Sequence, residues 1–247
     1  MRTLYSDANL GCRKRISGGL DWVFEQEEEA IILEDDCLPH PTFFRFCEEL
    51  LDYYRDDRRI MIISGTNQRL DHRFVKHSYL FGSTGHIWGW ASWRRAWKYY
   101  DVDMRVWPQV RKEKWLLGLN STLRTRQTVR QWEKALDDVY SGRVDTWDWQ
   151  WNLACWLQRG ASIIAAQNLV SNIGFGAAST HTGETSSADS ERLAYEARFP
   201  LTHPLYMAGD ALYEQEPRDV EYRFQALKHK IKFRSDGARR FRRFSGS

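Results

Sequence analysis

Two short, unbroken apolar runs constrain this chain more than any other feature: Ala30-Ile31-Ile32-Leu33 and Ile60-Met61-Ile62-Ile63. Neither alternates with polar residues, so neither suits a strand with one wet face. Each reads as a strand covered on both faces, the pattern of a parallel sheet. The segments around them carry helical spacing instead. Ile16, Leu20, Val23 and Phe24 mark one helix. Pro39 and Pro41 frame the start of another, whose inner stripe is Phe43, Phe44, Cys47, Leu50, Leu51 and Tyr54. Thr3-Leu4-Tyr5 reads as the end of an earlier strand, and Ala161 to Ala166 as a later one. Strands alternating with helices predict an α/β fold, a mostly parallel sheet flanked by helices.

Beyond Gly65 the periodicity weakens. Ser92 is placed to cap a short helix through Tyr100, and Ser121 or Thr122 to start a longer one ending at Gly142. Asp145 or Thr146 can cap a further helix to Arg159, with Gly160 after it. Eleven of the twelve tryptophans fall between Trp88 and Trp156. So dense a cluster is either core or a surface on which sugar faces stack. From Glu184 the chain is polar, and residues 228–247 hold eight Lys/Arg against one Asp. The whole chain carries +3 and this tail +7, so the body carries −4. An acidic body with its cations confined to the tail argues against a nucleic-acid partner. It leaves an anionic membrane surface or a disordered solubilising tail.

Mean hydropathy is −0.63 and no apolar run approaches the ~18 residues of a membrane helix. The N-terminus lacks the apolar stretch of a cleaved signal peptide. The four cysteines, Cys12, Cys37, Cys47 and Cys155, form no CxxC pair and no zinc spacing. They read as reduced thiols, which points to a cytoplasmic protein.

Three segments carry possible chemistry. Glu34-Asp35-Asp36 closes the first apolar run. Ligands of open α/β sheets bind at the carboxyl ends of strands, and hard oxygens there suit Mg²⁺ or Mn²⁺ bridging to phosphates. A solvated acidic turn is the competing account. In Asp145-Thr146-Trp147-Asp148-Trp149, an acid flanked by aromatic rings suits a general base, while Asp145 as a cap and Asp148 in the first helical turn would merely complement the helix dipole. In the loop from Asn172 to Thr182, Gly174 and Gly176 permit close backbone approach, and His181 is a possible metal or phosphate contact or simply a satisfied polar residue.

Together these residues resemble the GT-A glycosyltransferases. Ile31-Ile32-Leu33-Glu34-Asp35-Asp36, then Pro39 and Phe43-Phe44, is similar to the variant DXD motif of the N-acetylglucosaminyltransferase I family. Asn9-Leu10-Gly11 resembles the Asn-x-Gly turn of bacterial family-two-like transferases, Gly85 to Trp90 their acceptor-side segment, and Trp147-Asp148 their base-bearing Trp-Asp. The resemblance spans roughly residues 3–182. It implies a Rossmann-like GT-A domain with a donor half at 1–66 and an acceptor half at 67–182. A C-terminal extension follows at 183–227, then the basic tail.

The implied activity is metal-dependent, inverting transfer of a sugar from a nucleotide-diphosphate donor to a glycan or lipid-linked acceptor hydroxyl. Asp36 would bind Mn²⁺ or Mg²⁺. Glu34, Asp35, Gly65 and His181 would contact the donor. Asp148 would be the base, and Trp88, Trp90, Trp147 and Trp149 would line the acceptor side. Such domains begin with a strand–loop–helix unit and a second strand before the Asn-x-Gly turn. Only one strand end precedes Asn9, so the resemblance implies an N-terminally truncated domain whose base-binding residues lie upstream of Met1. Apart from the resemblance, a basic tail that meets anionic lipid would place the chain peripherally on the inner face of the plasma membrane. The alternatives are a non-catalytic glycan-binding remnant, and a metal-dependent hydrolase with Asp36 and Asp148 as paired acids.

Overall fold

The structure, a computed structural model, describes residues 1–67, 76–119, 123–174 and 192–207. In chain order its elements are α1 (Gly11–Phe24), β1 (Glu29–Ile32), β2 (Cys37–Pro39), α2 (Thr42–Tyr53), β3 (Ile60–Ser64), β4 (Tyr79–Gly82), β5 (Trp90–Trp93), α3 (Arg94–Trp97), α4 (Trp107–Glu113), α5 (Arg126–Tyr140), α6 (Asp148–Leu157), β6 (Ala161–Ala165) and β7 (Val170–Asn172). Phe44, read as part of the inner stripe of α2, is 42% exposed; otherwise the apolar runs form strands and the helical stripes form helices as expected. Thr3-Leu4-Tyr5 does not: it is exposed and outside any strand.

The main sheet has the order β1-β5-β3-β6-β4, and β2 and β7 form a separate two-stranded ribbon. Only β3 and β6 pair in parallel; the other three pairings in the main sheet are antiparallel. The mostly parallel sheet expected from the sequence is therefore corrected. The cause is Trp90-Ala91-Ser92-Trp93, expected to lead into a helix capped by Ser92. Trp90 packs towards α6, whereas Ala91 and Trp93 face α2, so side chains alternate across the strand. The Ser92 hydroxyl donates to the Met61 carbonyl at 2.8 Å rather than capping a helix. This strand runs antiparallel between β1 and β3 and holds them apart. As a result β1 is the edge of the described sheet, and all four of its residues are half-buried rather than covered on both faces. β3 is fully buried, as its composition predicts.

Both β1 and β3 run opposite to β5, and β6 runs parallel to β3, so the carboxyl ends of β1, β3 and β6 gather at one end of the sheet. One face of the sheet packs on α2 through Phe43, Phe46 and Leu50. The other packs on α1 and α6 through Leu20, Phe24, Trp147, Trp151 and Cys155. An irregularity between Ile60 and Ile62 lets Met61 and Ile62 in succession serve the α6 side. Helices α4 and α5 cover the far side of α6, Trp107 and Trp132 packing with its Trp149 and Trp156. Caught between sheet and helices, α6 buries eight of its ten residues. This sandwich accounts for the tryptophan density.

Residues 192–207 run across the α2 side. Ala197 N–H donates to Thr42 Oγ1 at 2.9 Å, and the His203 Nδ1 meets Tyr79 Oη at 2.9 Å. Tyr79 meets Tyr54 in turn at 2.6 Å between hydroxyls. Burial, above all, pushes the Tyr79 phenol well above its ordinary range.

Candidate functional site at the carboxyl end of the sheet

After β1 the chain turns through Glu34-Asp35-Asp36, closed by Cys37 N–H donating to the Glu34 carbonyl at 3.1 Å. It then enters the β2–β7 ribbon, where Cys37 lies opposite Asn172. That register brings residues 172–174 alongside Asp36. Ile173 N–H donates to the Asp36 carbonyl at 2.8 Å, and Gly174 N–H to Asn172 Oδ1 at 2.8 Å. A Cβ on Gly174 would collide with Asp36 Oδ2. The close approach that this glycine permits is thus to the Asp36 carboxylate. Glu34 and Asp36 are half-buried and Asp35 is exposed. Asp36 Oδ1 also accepts from Cys37 Sγ at 3.6 Å. Burial, with the nearby Asp36 and Glu34 charges adding to it, pushes the Cys37 thiol up to about 12.

Asp36 was expected at the end of a central parallel strand. It follows the edge strand of the described sheet, which is antiparallel to its neighbour. Among the described residues no group of three His, Cys, Asp or Glu side chains could hold a metal ion. The oxygens present nevertheless suit one bound weakly by the protein. Mg²⁺ is ordinarily held by one or two carboxylates, with substrate phosphates and water completing its shell. Asp36, with Asn172 beside its neighbour Gly174, supplies hard oxygen donors of that kind.

Asp148 reaches the same end of the sheet from α6. Ile32 pairs with Trp90 across the β1–β5 ladder, and the Trp90 and Trp147 rings stack with centroids 5.6 Å apart. At the other end of α6, a Cβ on Gly160 would strike Met61 near the start of β3. Helix α6 therefore runs against β3, and its first residue, Asp148, lies at the carboxyl end. The carboxylate is half-buried, and its Oδ1 accepts from the buried Thr146 hydroxyl. The Tyr100 phenol, stacked on Trp97 at 4.2 Å, is pushed well above its ordinary range, by burial first and then by the Asp148 charge.

Asp145 is not the cap of α6. The residue at the N-cap position of that helix is Trp147, and no side chain caps the helix there. Asp145 instead accepts from Cys12 N–H at 3.0 Å and Arg13 N–H at 3.3 Å, at the start of α1. Its oxygens are occupied by backbone N–H groups, as the sequence suggests, but those of a distant helix.

The remaining candidates fare unevenly. Trp90, Trp147 and Trp149 are buried at 0%, 1% and 4% exposure, their rings against one another, Trp97, Trp151 and Trp132. They are core, which corrects their assignment as an acceptor wall. Of the four tryptophans only Trp88, half-buried, keeps surface to offer. Gly65 serves packing rather than the donor: a Cβ there would lie 2.5 Å from the Phe43 ring, and its carbonyl accepts from Leu169 N–H at 2.8 Å. His181 and the basic tail lie outside the described residues.

Sequence reasoning missed the partners of the acids. Thr146 was visible only as a possible cap and Asn172 only as the start of a loop; no local pattern links either to Asp148 or Asp36. No family model matches the chain, and no curated protein matches it.

Proposed function

We propose that this chain belongs to a metal-dependent, inverting glycosyltransferase of GT-A type that uses a nucleotide-diphosphate sugar. The observation that supports the proposal is that Glu34-Asp35-Asp36 follows β1 and Asp148 begins α6 at the same, carboxyl end of the sheet, where α/β sheets bind ligands. Asp36 is the residue to hold Mn²⁺ or Mg²⁺ against the donor diphosphate, and Glu34 and Asp35 are the contacts to the donor sugar and ribose. The metal supplies Lewis-acid stabilisation of the departing diphosphate.

Asp148 takes the proton of the acceptor hydroxyl. That oxygen bonds to the anomeric carbon from the face opposite the breaking bond to the diphosphate. The Thr146 hydroxyl, by occupying Oδ1, holds the carboxylate and leaves Oδ2 for the proton. The alternative of a glycan-binding module loses its main support, because the tryptophans that would stack on sugars pack on each other.

Saturation-transfer NMR with a panel of nucleotide-sugars, with and without Mg²⁺, tests the proposal in a way that tolerates weak binding. The expected result is donor binding that needs the metal and is lost in Asp36→Ala. Binding indifferent to the metal and to Asp36→Ala would overturn it.

A further inference from the structure

We infer that the end of α4, residues 112–117, with Arg124 and Arg126 before and at the start of α5, is a contact for an anionic bilayer surface, separate from the proposed sugar chemistry and from the basic tail. Helix α4 ends at Lys114, a non-glycine residue held at φ +58°, and Trp115 N–H folds back to the Val110 carbonyl at 3.1 Å. The chain is then pinned on both arms. Leu116 and Leu123 sink into the core between α4, α5 and α6, and Gly118 N–H reaches the Leu123 carbonyl at 2.9 Å.

On either side of Leu116, Trp115 and Leu117 stay outside, 39% and 49% exposed. The other eleven tryptophans are buried or half-buried. Lys112 and Lys114 flank Trp115 in the chain, and Arg124 and Arg126 follow Leu123, to which Gly118 is bonded; all four are exposed. None of the four enters an ion pair among the described residues, whereas Arg111 beside them is spent on Glu133 and Asp137 at 3.0 and 3.3 Å. The one acid among them, Glu113, accepts from Gln109 Nε2 at 3.2 Å.

An exposed amphipathic indole and leucine, with neighbouring cations that make no ion pair among the described residues, match the two demands of an anionic membrane interface: a small apolar insertion and positive charge within a Debye length of the lipid phosphates. Two apolar side chains are too little for a stable protein interface. The 15 residues of α5 put about 22 Å between this segment and the end of the helix that leads on to Asp148. Seating the segment on lipid therefore leaves the carboxylates uncovered.

The test uses the full chain with phosphatidylcholine vesicles containing about one-third phosphatidylglycerol, with and without brominated acyl chains. Brominated lipid should quench a part of the fluorescence that Trp115→Phe removes. The wholly exposed pair Lys112→Glu/Lys114→Glu should keep the fold by circular dichroism and lower the partition coefficient about tenfold or more. Vesicles of phosphatidylcholine alone should bind poorly. Quenching that is the same in Trp115→Phe, or partition untouched by the charge reversals, would overturn the inference. So would finding that these variants abolish single-stranded DNA binding or self-association while the parent ignores lipid.

Discussion

Removing the Asp145 carboxylate should loosen a helix that starts far from it in the sequence. Asp145 accepts from Cys12 N–H at 3.0 Å and Arg13 N–H at 3.3 Å, two of the orphan donors at the start of α1. A lost cap costs ~1 kcal/mol, and a lost negative charge at a helix N-terminus a further ~0.3–1 kcal/mol. Asp145→Ala is therefore expected to cost about 2 kcal/mol, a fall in Tm of about 4–8 °C for a chain of this size. Asp145→Asn keeps one acceptor but turns an amide NH₂ towards the other donor, so about half the loss, ~1 kcal/mol, should remain.

Gly11 provides an internal check. It sits at φ +73° with the space for a Cβ filled by Asp145 Oδ2. In the parent, Gly11→Ala suffers a left-handed penalty of roughly 1–2 kcal/mol and the collision as well. In the Asp145→Ala background only the penalty remains. The double variant should thus be less destabilised than the two losses added together. Urea unfolding followed by tryptophan fluorescence measures all four proteins, provided the slope m is unchanged. Asp145→Ala within about 0.5 kcal/mol of the parent, the ordinary range for an exposed substitution, would refute the capping role. Strict additivity would refute the steric one.

Three further outcomes are expected. On the proposed function, Asp148→Asn keeps the side-chain shape and removes the proposed base, so steady-state transfer assays should show turnover down ~10²–10⁴-fold with donor binding retained. Gly174→Ala, by forcing a methyl against the Asp36 carboxylate, should weaken Mg²⁺-dependent donor binding in the NMR titration while the unfolding midpoint moves far less than for Asp145→Ala. Cys37, held near 12 against an ordinary 9.0, stays a neutral thiol at pH 8–9, so it should resist iodoacetamide in the native state. Because its folded value is the higher, the stability it contributes is intact below about 9 and lost as pH rises towards 12, visible as a falling urea midpoint that Cys37→Ser removes.

The parts of the fold legible in the sequence were those whose pattern is local. The α2 stripe and the Ile60–Ile63 run each report their own surroundings within one window, and both folded accordingly except at Phe44, which is exposed. Strand β5 was illegible because four residues are too few for a period to stand out, and because Ser92 beside tryptophans reads equally as a cap. Its misassignment propagated. Without an antiparallel strand between β1 and β3, those two apolar runs looked like parallel neighbours, and β1 looked central. Tryptophan density misled for a related reason. A helix buried on two sides needs large apolar residues all round, so Trp147 and Trp151 towards the sheet and Trp149 and Trp156 towards α5 have no polar face to reveal them as core.

The candidate site divides along the same line. An acidic triplet ending an apolar run is local, and the sequence locates it. What surrounds each carboxylate is set by topology. Asp36 meets Asn172, Ile173 and Gly174 only because a ribbon of three residues on each side fixes Cys37 opposite Asn172. A slip of one residue there would turn Asp36 to the other face of the ribbon. Asp145 and Asp148, three residues apart with similar neighbours, look interchangeable as text. The fold separates them: one carboxylate is consumed by the first turn of α1, and the other is held by a single hydroxyl at the open end of the sheet. A carboxylate whose two oxygens already accept from backbone N–H groups has less acceptor capacity left for an incoming hydroxyl. The choice of Asp148 over Asp145 therefore rests on which backbone each one touches, a property fixed by the packing of α1 against the segment that leads into α6.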